Sequence, residues 1–263
     1  NRLEEAVQSY EMAIALKPDY VEAYSNLGVA LMDLKQFDQA LSNYDKAINL
    51  MPDYADAFWN KSLMLLSQGK FSEGWTLYEW RWKSRYASNY PEHSAPIWLG
   101  DAPVHGKTIL VQSEQGFGDA IQFCRYASKL SRLGANVVLE APTALTGLFS
   151  TWNGITSVIQ KGGMSPAVPA VDFRVPMLSL PLAFKTTLKT IPKAKRYLKA
   201  GKKARARWAQ VLGKASQLRV GLSWSGAISH RLDPIRVIAL DELIRYLPPG
   251  LEYISLQKEV RAS

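Results

Sequence analysis

Residues 21–54 read VEAYSNLGVALMDLKQFDQALSNYDKAINLMPDY, and their spacing decides how the N-terminal third folds. Tyr24, Leu27, Gly28 and Leu31 recur at steps of three and four, which puts them on one helix face. Ala40, Tyr44, Ala47 and Ile48 line a second helix that runs from about Phe37 to Leu50. Pro52 ends it, because proline lacks an amide donor and clashes with the preceding turn. Gly28 is small where the second helix must come close. The pattern recurs 34 positions apart: Ala6 with Ala40, Ala13 with Ala47, Pro18 with Pro52, Phe37 with Phe71, and Tyr10 with Tyr44 and Tyr78.

Working outward, Leu3 to Leu16 is the second helix of an incomplete repeat closed by Pro18. A third repeat starts at Ala57, Phe58 and Leu65 and then drifts, with Gly74 where Ala40 would be and Arg81 where Ala47 would be. Trp75, Tyr78, Trp80 and Trp82 load its second helix with aromatics. These could bind a ligand, but large aromatics at the end of a repeat array more readily dock the next module. The 34-residue period resembles the tetratricopeptide repeat, which makes residues 1–85 an interaction solenoid that holds a protein or peptide partner on its concave surface.

Residues 86–106 read as a linker rich in Pro, Ser and Asn, with Pro91, Pro96, Trp98, Gly100 and Pro103. Thr108 to Gln112 is a short apolar strand, followed by Glu114-Gln115-Gly116-Phe117-Gly118-Asp119 and an amphipathic helix over Ala120 to Leu133. Gly134 caps that helix, and Ala135 to Glu140 is a second strand. Strand, helix and strand with short connections form a βαβ unit whose first loop lies at the carboxyl edge of the sheet, where ligands bind. A helix start there favours anions. The loop is neither a dinucleotide fingerprint nor a Walker loop. Further helices over Leu145–Trp152, Lys203–Leu212 and Leu240–Leu247, and strands at Ile155–Ile159, Asp172–Val175, Leu218–Trp224 and Glu252–Leu256, extend an α/β pattern. The resulting organisation is repeats at 1–85, a linker at 86–106, a Rossmann-like lobe at 107–217 and the beginning of a second lobe at 218–263.

The net charge of +9 is uneven. Residues 1–90 hold nine Lys/Arg against twelve Asp/Glu, which leaves +12 for the remainder. Lys193, Lys195, Arg196, Lys199, Lys202, Lys203, Arg205 and Arg207 form a run without an acid. Nucleic acid, an anionic membrane or a phosphorylated substrate would suit such a run, as would plain solvation, and no nucleic-acid-binding signature accompanies it. Nucleic acid is not expected as a partner. No apolar stretch is long enough to span a membrane. The single Cys124 excludes an internal disulfide and fits a reducing, cytoplasmic setting. His93, His105 and His230 are too scattered for a local metal motif, no Gly-x-Ser-x-Gly elbow exists, and Cys124 is spaced as a core residue.

Four segments together resemble bacterial proteins in which tetratricopeptide repeats precede a glycosyltransferase family 9-like domain: Glu114 to Phe123, Ser179-Leu180-Pro181, Trp224-Ser225-Gly226 and Ser255-Leu256-Gln257-Lys258. The resemblance implies a GT-B fold of two Rossmann-like lobes, a nucleotide-sugar donor as substrate, and no metal or other cofactor. It is similar at a distance to heptosyltransferases, in which the aspartate matched by Asp119 is the general base of an inverting transfer. Asp119 reads equally as a helix cap, and the two roles are compatible. The resemblance places donor contacts at Gln115, Gly116, Gly118, Ser225, Gly226, His230, Arg231, Arg236, Gln257 and Lys258. Ala227-Ile228 and Arg236-Val237-Ile238 depart from the Asn-Pro and Arg-Ser-Ile of relatives.

The leading expectation is a glycosyltransferase acting on a protein or glycan hydroxyl, with the repeats recruiting the acceptor. The alternative is a non-catalytic scaffold with a degenerate transferase domain. A second lobe that stops early implies that these residues alone do not turn over substrate.

Overall fold

The computed structural model describes residues 2–85, 93–152, 154–162, 170–193, 197–225 and 237–257, and the chain divides into two compact units, Asn1–Lys199 and Ala200–Ser263. The first unit opens with five helices: α1 (Arg2–Leu16), α2 (Val21–Asp33), α3 (Phe37–Leu50), α4 (Ala55–Ser67) and α5 (Phe71–Tyr78). Ala40, Tyr44 and Ala47 of α3 are wholly buried, as the 34-residue register requires. A Cβ built on Gly28 would stand 2.5 Å from Tyr44 Cε1, so α2 and α3 approach this closely only because residue 28 has no side chain. After α5 the third repeat tightens into a 3-10 turn, Glu79–Trp82.

Trp59, Leu63, Leu66 and Trp75 of the third repeat pack against the same core that holds the sheet. Trp75 meets Tyr78 and Phe123 edge-on at 5.5 and 6.0 Å. The aromatic-rich repeat is therefore a junction: it shares one hydrophobic core with the sheet, while the preceding repeats pack around cores of their own.

The sheet has β1 (Thr108–Gln112), β2 (Asn136–Ala141), β3 (Ser157–Gln160) and β4 (Phe173–Pro176), all parallel, in the order β3-β2-β1-β4. Ile109, Leu110 and Val111 are at most 1% exposed, the continuous burial expected of a central parallel strand. Each such side chain contributes about 1.5–3 kcal/mol. Between β1 and β2 the expected single helix is two: α6 (Phe117–Phe123) and α7 (Ala127–Arg132), separated by a 3-10 turn at Cys124–Tyr126. Cys124 Sγ and Arg125 Nε donate to the Ile121 and Gln122 carbonyls three residues back, at 3.1 and 2.8 Å. Local bonds of this kind compete with the helical ladder. α8 (Thr143–Phe149) follows β2, and a 3-10 turn, Met177–Ser179, with α9 (Leu180–Ala183) follows β4.

The stretch expected as a linker is partly structural. Ala95, Trp98 and Val104 are buried. Ile97 forms a parallel bridge to Arg174, framed by Trp98 N to Arg174 O at 2.8 Å and Arg174 N to Pro96 O at 2.9 Å. Residues 96–98 thus add a stub of strand beside β4.

The second unit holds α10 (Lys202–Leu212), β5 (Arg219–Leu222), α11 (Leu240–Ile244) and β6 (Glu252–Ser255), with β5 and β6 parallel. Arg219 joins β5 to Glu252 of β6 at 2.7 Å and to the Leu212 carbonyl of α10 at 2.6 Å. None of the described residues in this unit is fully buried. No helix among the described residues is long and apolar enough to cross a membrane.

Candidate functional site

The connection from β1 runs to β2 and on to β3 on one side, whereas β4 lies on the other side of β1. The carboxyl ends of β1 and β4 therefore flank a topological switch point, where open α/β sheets bind ligands. Two loops meet there: residues 113–119 after β1 and residues 177–179 after β4. They are stitched together by the Leu178 amide, which donates to Glu114 Oε1 at 2.9 Å.

Into this crevice comes Arg81, from the 3-10 turn that closes the repeats. Its Nε and Nη2 donate to the two oxygens of Glu114, both at 3.0 Å. Nη2 also reaches Ser179 Oγ at 2.8 Å, and Nη1 reaches Glu79 at 2.7 Å and the Tyr78 carbonyl at 3.1 Å. Ser179 in turn donates to Glu79. The guanidinium lies 4.6 Å from the Tyr78 ring centroid and 4.3 Å from that of Trp82. Arg81 is 5% exposed and Ser179 wholly buried. Burial by itself would lower the Arg81 pKa, but the carboxylates of Glu114 and Glu79 outweigh it and hold the group above its ordinary value. Removing one partner of such a buried pair costs about 3–5 kcal/mol, since a charge is left uncompensated.

Beside Glu114, Gln115 adopts a left-handed backbone with φ of 55° and donates from Nε2 to the Tyr78 hydroxyl at 2.8 Å. Gly116 precedes α6, and its amide donates to Asp119 Oδ2 at 3.1 Å. Helix α6 starts earlier than the expected Ala120, so Asp119 is its third residue and reaches back, and Gly116 occupies the cap position. Asp119 is half-buried, and Gly116, Phe117 and Gly118 are exposed. Behind the loop, Lys161 donates to the Ser113 carbonyl at 2.8 Å and Gln112 to Glu140 at 3.3 Å. Ser113 Oγ is buried without a partner among the described residues.

Of the residues expected to contact a donor, Gln115, Gly116 and Gly118 stand with Asp119 in the first unit. Ser225 and Gln257 come together in the second. Gln257 Oε1 accepts from the Ser223 hydroxyl and the Trp224 and Ser225 amides at 3.3 Å each, and its Nε2 donates to the Ser225 carbonyl at 3.1 Å. Gln257 thus holds the end of β5 in shape. Gly226, His230, Arg231, Arg236 and Lys258 lie outside the described residues. Among the described residues no cluster of His, Cys, Asp and Glu is arranged to hold a metal ion. Arg81 and Tyr78 were not singled out by sequence as site residues. The available signal was Arg81 itself, a cation in a repeat position that otherwise takes a buried alanine.

Comparison with known proteins bears on the helical region. A tetratricopeptide repeat family model matches residues 21–54, and a second, described as TPR repeat, matches residues 1–35. The N-terminal region consists of tetratricopeptide repeats. Similar solved structures include MamA, at 24% identity over 32% of this chain and 48% of that one, with a TM-score of 0.30. Another is the TPR2B domain of yeast Sti1 in its pHsp70 complex, at 24% identity over 30% of this chain and 63% of that one, with a TM-score of 0.29. A third is the first TPR of Spaghetti (RPAP3) bound to the HSP90 peptide SRMEEVD, at 22% identity over 34% and 70% of the two chains, with a TM-score of 0.31. This chain thus spans about half the length of MamA. A search of curated proteins returns no match.

Proposed function

We propose that this protein is a repeat-fused glycosyltransferase of the inverting, GT-B type, moving a sugar from a nucleotide-sugar donor to a hydroxyl on a protein or glycan. The observation that carries this reading is the loop Glu114–Asp119 at the switch point of a parallel sheet, with a half-buried carboxylate, Asp119, in the first turn of α6. In the proposed reaction the acceptor oxygen attacks the anomeric carbon as the bond to the nucleoside diphosphate breaks. Asp119 takes the acceptor proton. Exposed glycines at 116 and 118 let a ligand approach the backbone. The tetratricopeptide repeats would recruit a protein or peptide partner on their concave surface.

The test is calorimetric titration of the protein at its natural full length with a panel of nucleoside diphosphates, together with a transfer assay on Asp119→Asn. We expect one diphosphate to bind, and the variant to keep that affinity while losing at least about 100-fold in transfer rate. A variant that transfers normally would reduce Asp119 to a brace for the Gly116 amide.

A second reading, a non-catalytic interaction scaffold, is favoured by one set of contacts. Glu114, Gln115 and Gln257, each at a position the transferase resemblance marks, are already engaged within the protein. Absence of diphosphate binding across the panel would select it.

A further inference from the structure

A repeat array has no use for a buried arginine in its last turn. Register places Arg81 where Ala47 stands one repeat earlier, and Ala47 is wholly buried in apolar packing. Arg81 is buried instead among polar partners, its N–H groups distributed over Glu114 and Ser179 of the sheet loops and over Glu79 and the Tyr78 carbonyl of its own repeat. A fork of this geometry fixes a carboxylate in orientation as well as in place. The carboxylate it fixes belongs to the first residue of the candidate loop. The next residue, Gln115, is held by the hydroxyl of Tyr78, three residues before Arg81. The next amide, Gly116, is bonded to Asp119. An unbroken series of contacts thus leads from the closing turn of the repeats to the candidate base. It also explains how Gln115, a residue with a side chain, is kept at a positive φ: its side chain is bonded to Tyr78, and its neighbours Glu114 and Gly116 are each held by a hydrogen bond.

We propose that Arg81, supported by Tyr78, is a positioning residue for Asp119: the repeat module sets the conformation of the 114–119 loop and is an integral part of the site. The role assigned to Asp119 rests on the transferase reading, whereas the dependence of the loop on Arg81 does not. One consequence is that a protein trimmed of its repeats would carry the loop sequence intact and lose its geometry.

Residue-resolved hydrogen exchange on the whole chain separates the two. The variants are Arg81→Lys, Glu114→Gln and Tyr78→Phe, each close in size to the original. Lysine keeps the charge but cannot span both Glu114 oxygens and Ser179 together. The reporters are the amides of Gly116, Ala120 and Leu178, which are bonded to Asp119, to the Gly116 carbonyl and to Glu114. We expect these three to exchange at least about tenfold faster in Arg81→Lys and Glu114→Gln, while amides of β1 and β2 change by less than about threefold. Tyr78→Phe, which deletes only the acceptor for Gln115, should loosen Gly116 without loosening Leu178. Unchanged reporters in folded variants, or reporters and strands loosening by one common factor, would overturn the proposal. Should Arg81→Lys fail to fold, Tyr78→Phe and Glu114→Gln carry the same decision.

At natural full length, sugar transfer by Arg81→Lys and Tyr78→Phe should fall in kcat by at least about tenfold with donor KM unchanged, as expected when a base is misplaced and binding is not. An unchanged kcat in variants whose loop has loosened would overturn the link to Asp119. No transfer by the wild-type protein would sink the transferase reading, and exchange alone would then decide the role of Arg81.

Discussion

Cys124 illustrates what one position can reveal. Its spacing on the helix after the loop marks it as a core residue, and it is wholly buried, with Sγ against the Ile121 carbonyl at 3.1 Å. Burial pushes its thiol pKa up to about 12, with nearby Arg125 opposing. The reactive form is the thiolate, so at about pH 8 the native protein should resist maleimide and label only as it unfolds. Intact-mass measurement with and without denaturant checks this, and rapid native labelling would contradict the burial. Gly28 was equally legible, because a missing side chain between two helix faces has only a local meaning. Arg81 was not. Its mismatch with the repeat is visible in sequence, but its purpose depends on Glu114 and Ser179, and neither is near it along the chain.

At the scale of elements, strong periodicity was a sound guide. The helix pairs and the strand Thr108–Gln112 stand where the pattern of apolar residues places them. Two elements departed from it. The helix after the candidate loop begins at Phe117 and breaks at Cys124, because side-chain donors capture carbonyls that a continuous helix would use. The presumed linker contributes Ile97 to the sheet edge and Trp98 to the core, through contacts too short to leave a period. Trp98 is 3% exposed, donates from Nε1 to the Ala102 carbonyl at 2.9 Å, and meets Phe184 edge-on at 5.6 Å. Trp98→Ala should therefore cost about 3–5 kcal/mol, read as a lower urea midpoint. A loss below about 0.5 kcal/mol, the range of ordinary surface changes, would return this stretch to the status of a linker.

Across the whole molecule, stability is unevenly distributed. The sheet of the first unit is buried against the core it shares with the third repeat, whereas the described residues of the second unit are half-buried at best. Since resistance to local opening follows buried apolar contact, amides of β5 and β6 should exchange well before those of β1 and β2. Equal protection of the two sheets would contradict this. The sequence by itself determined the 34-residue helix pairs, the βαβ start of the sheet and the position of the candidate loop at its carboxyl edge, because each is written in periodicity and in apolar runs of neighbouring residues. Only the tertiary structure decided how the repeats join the sheet and what holds that loop. Arg81 meets Glu114 across 33 residues and Ser179 across 98. Pairings over such distances are chosen by burial and charge compensation after the chain has folded, and no local pattern encodes them.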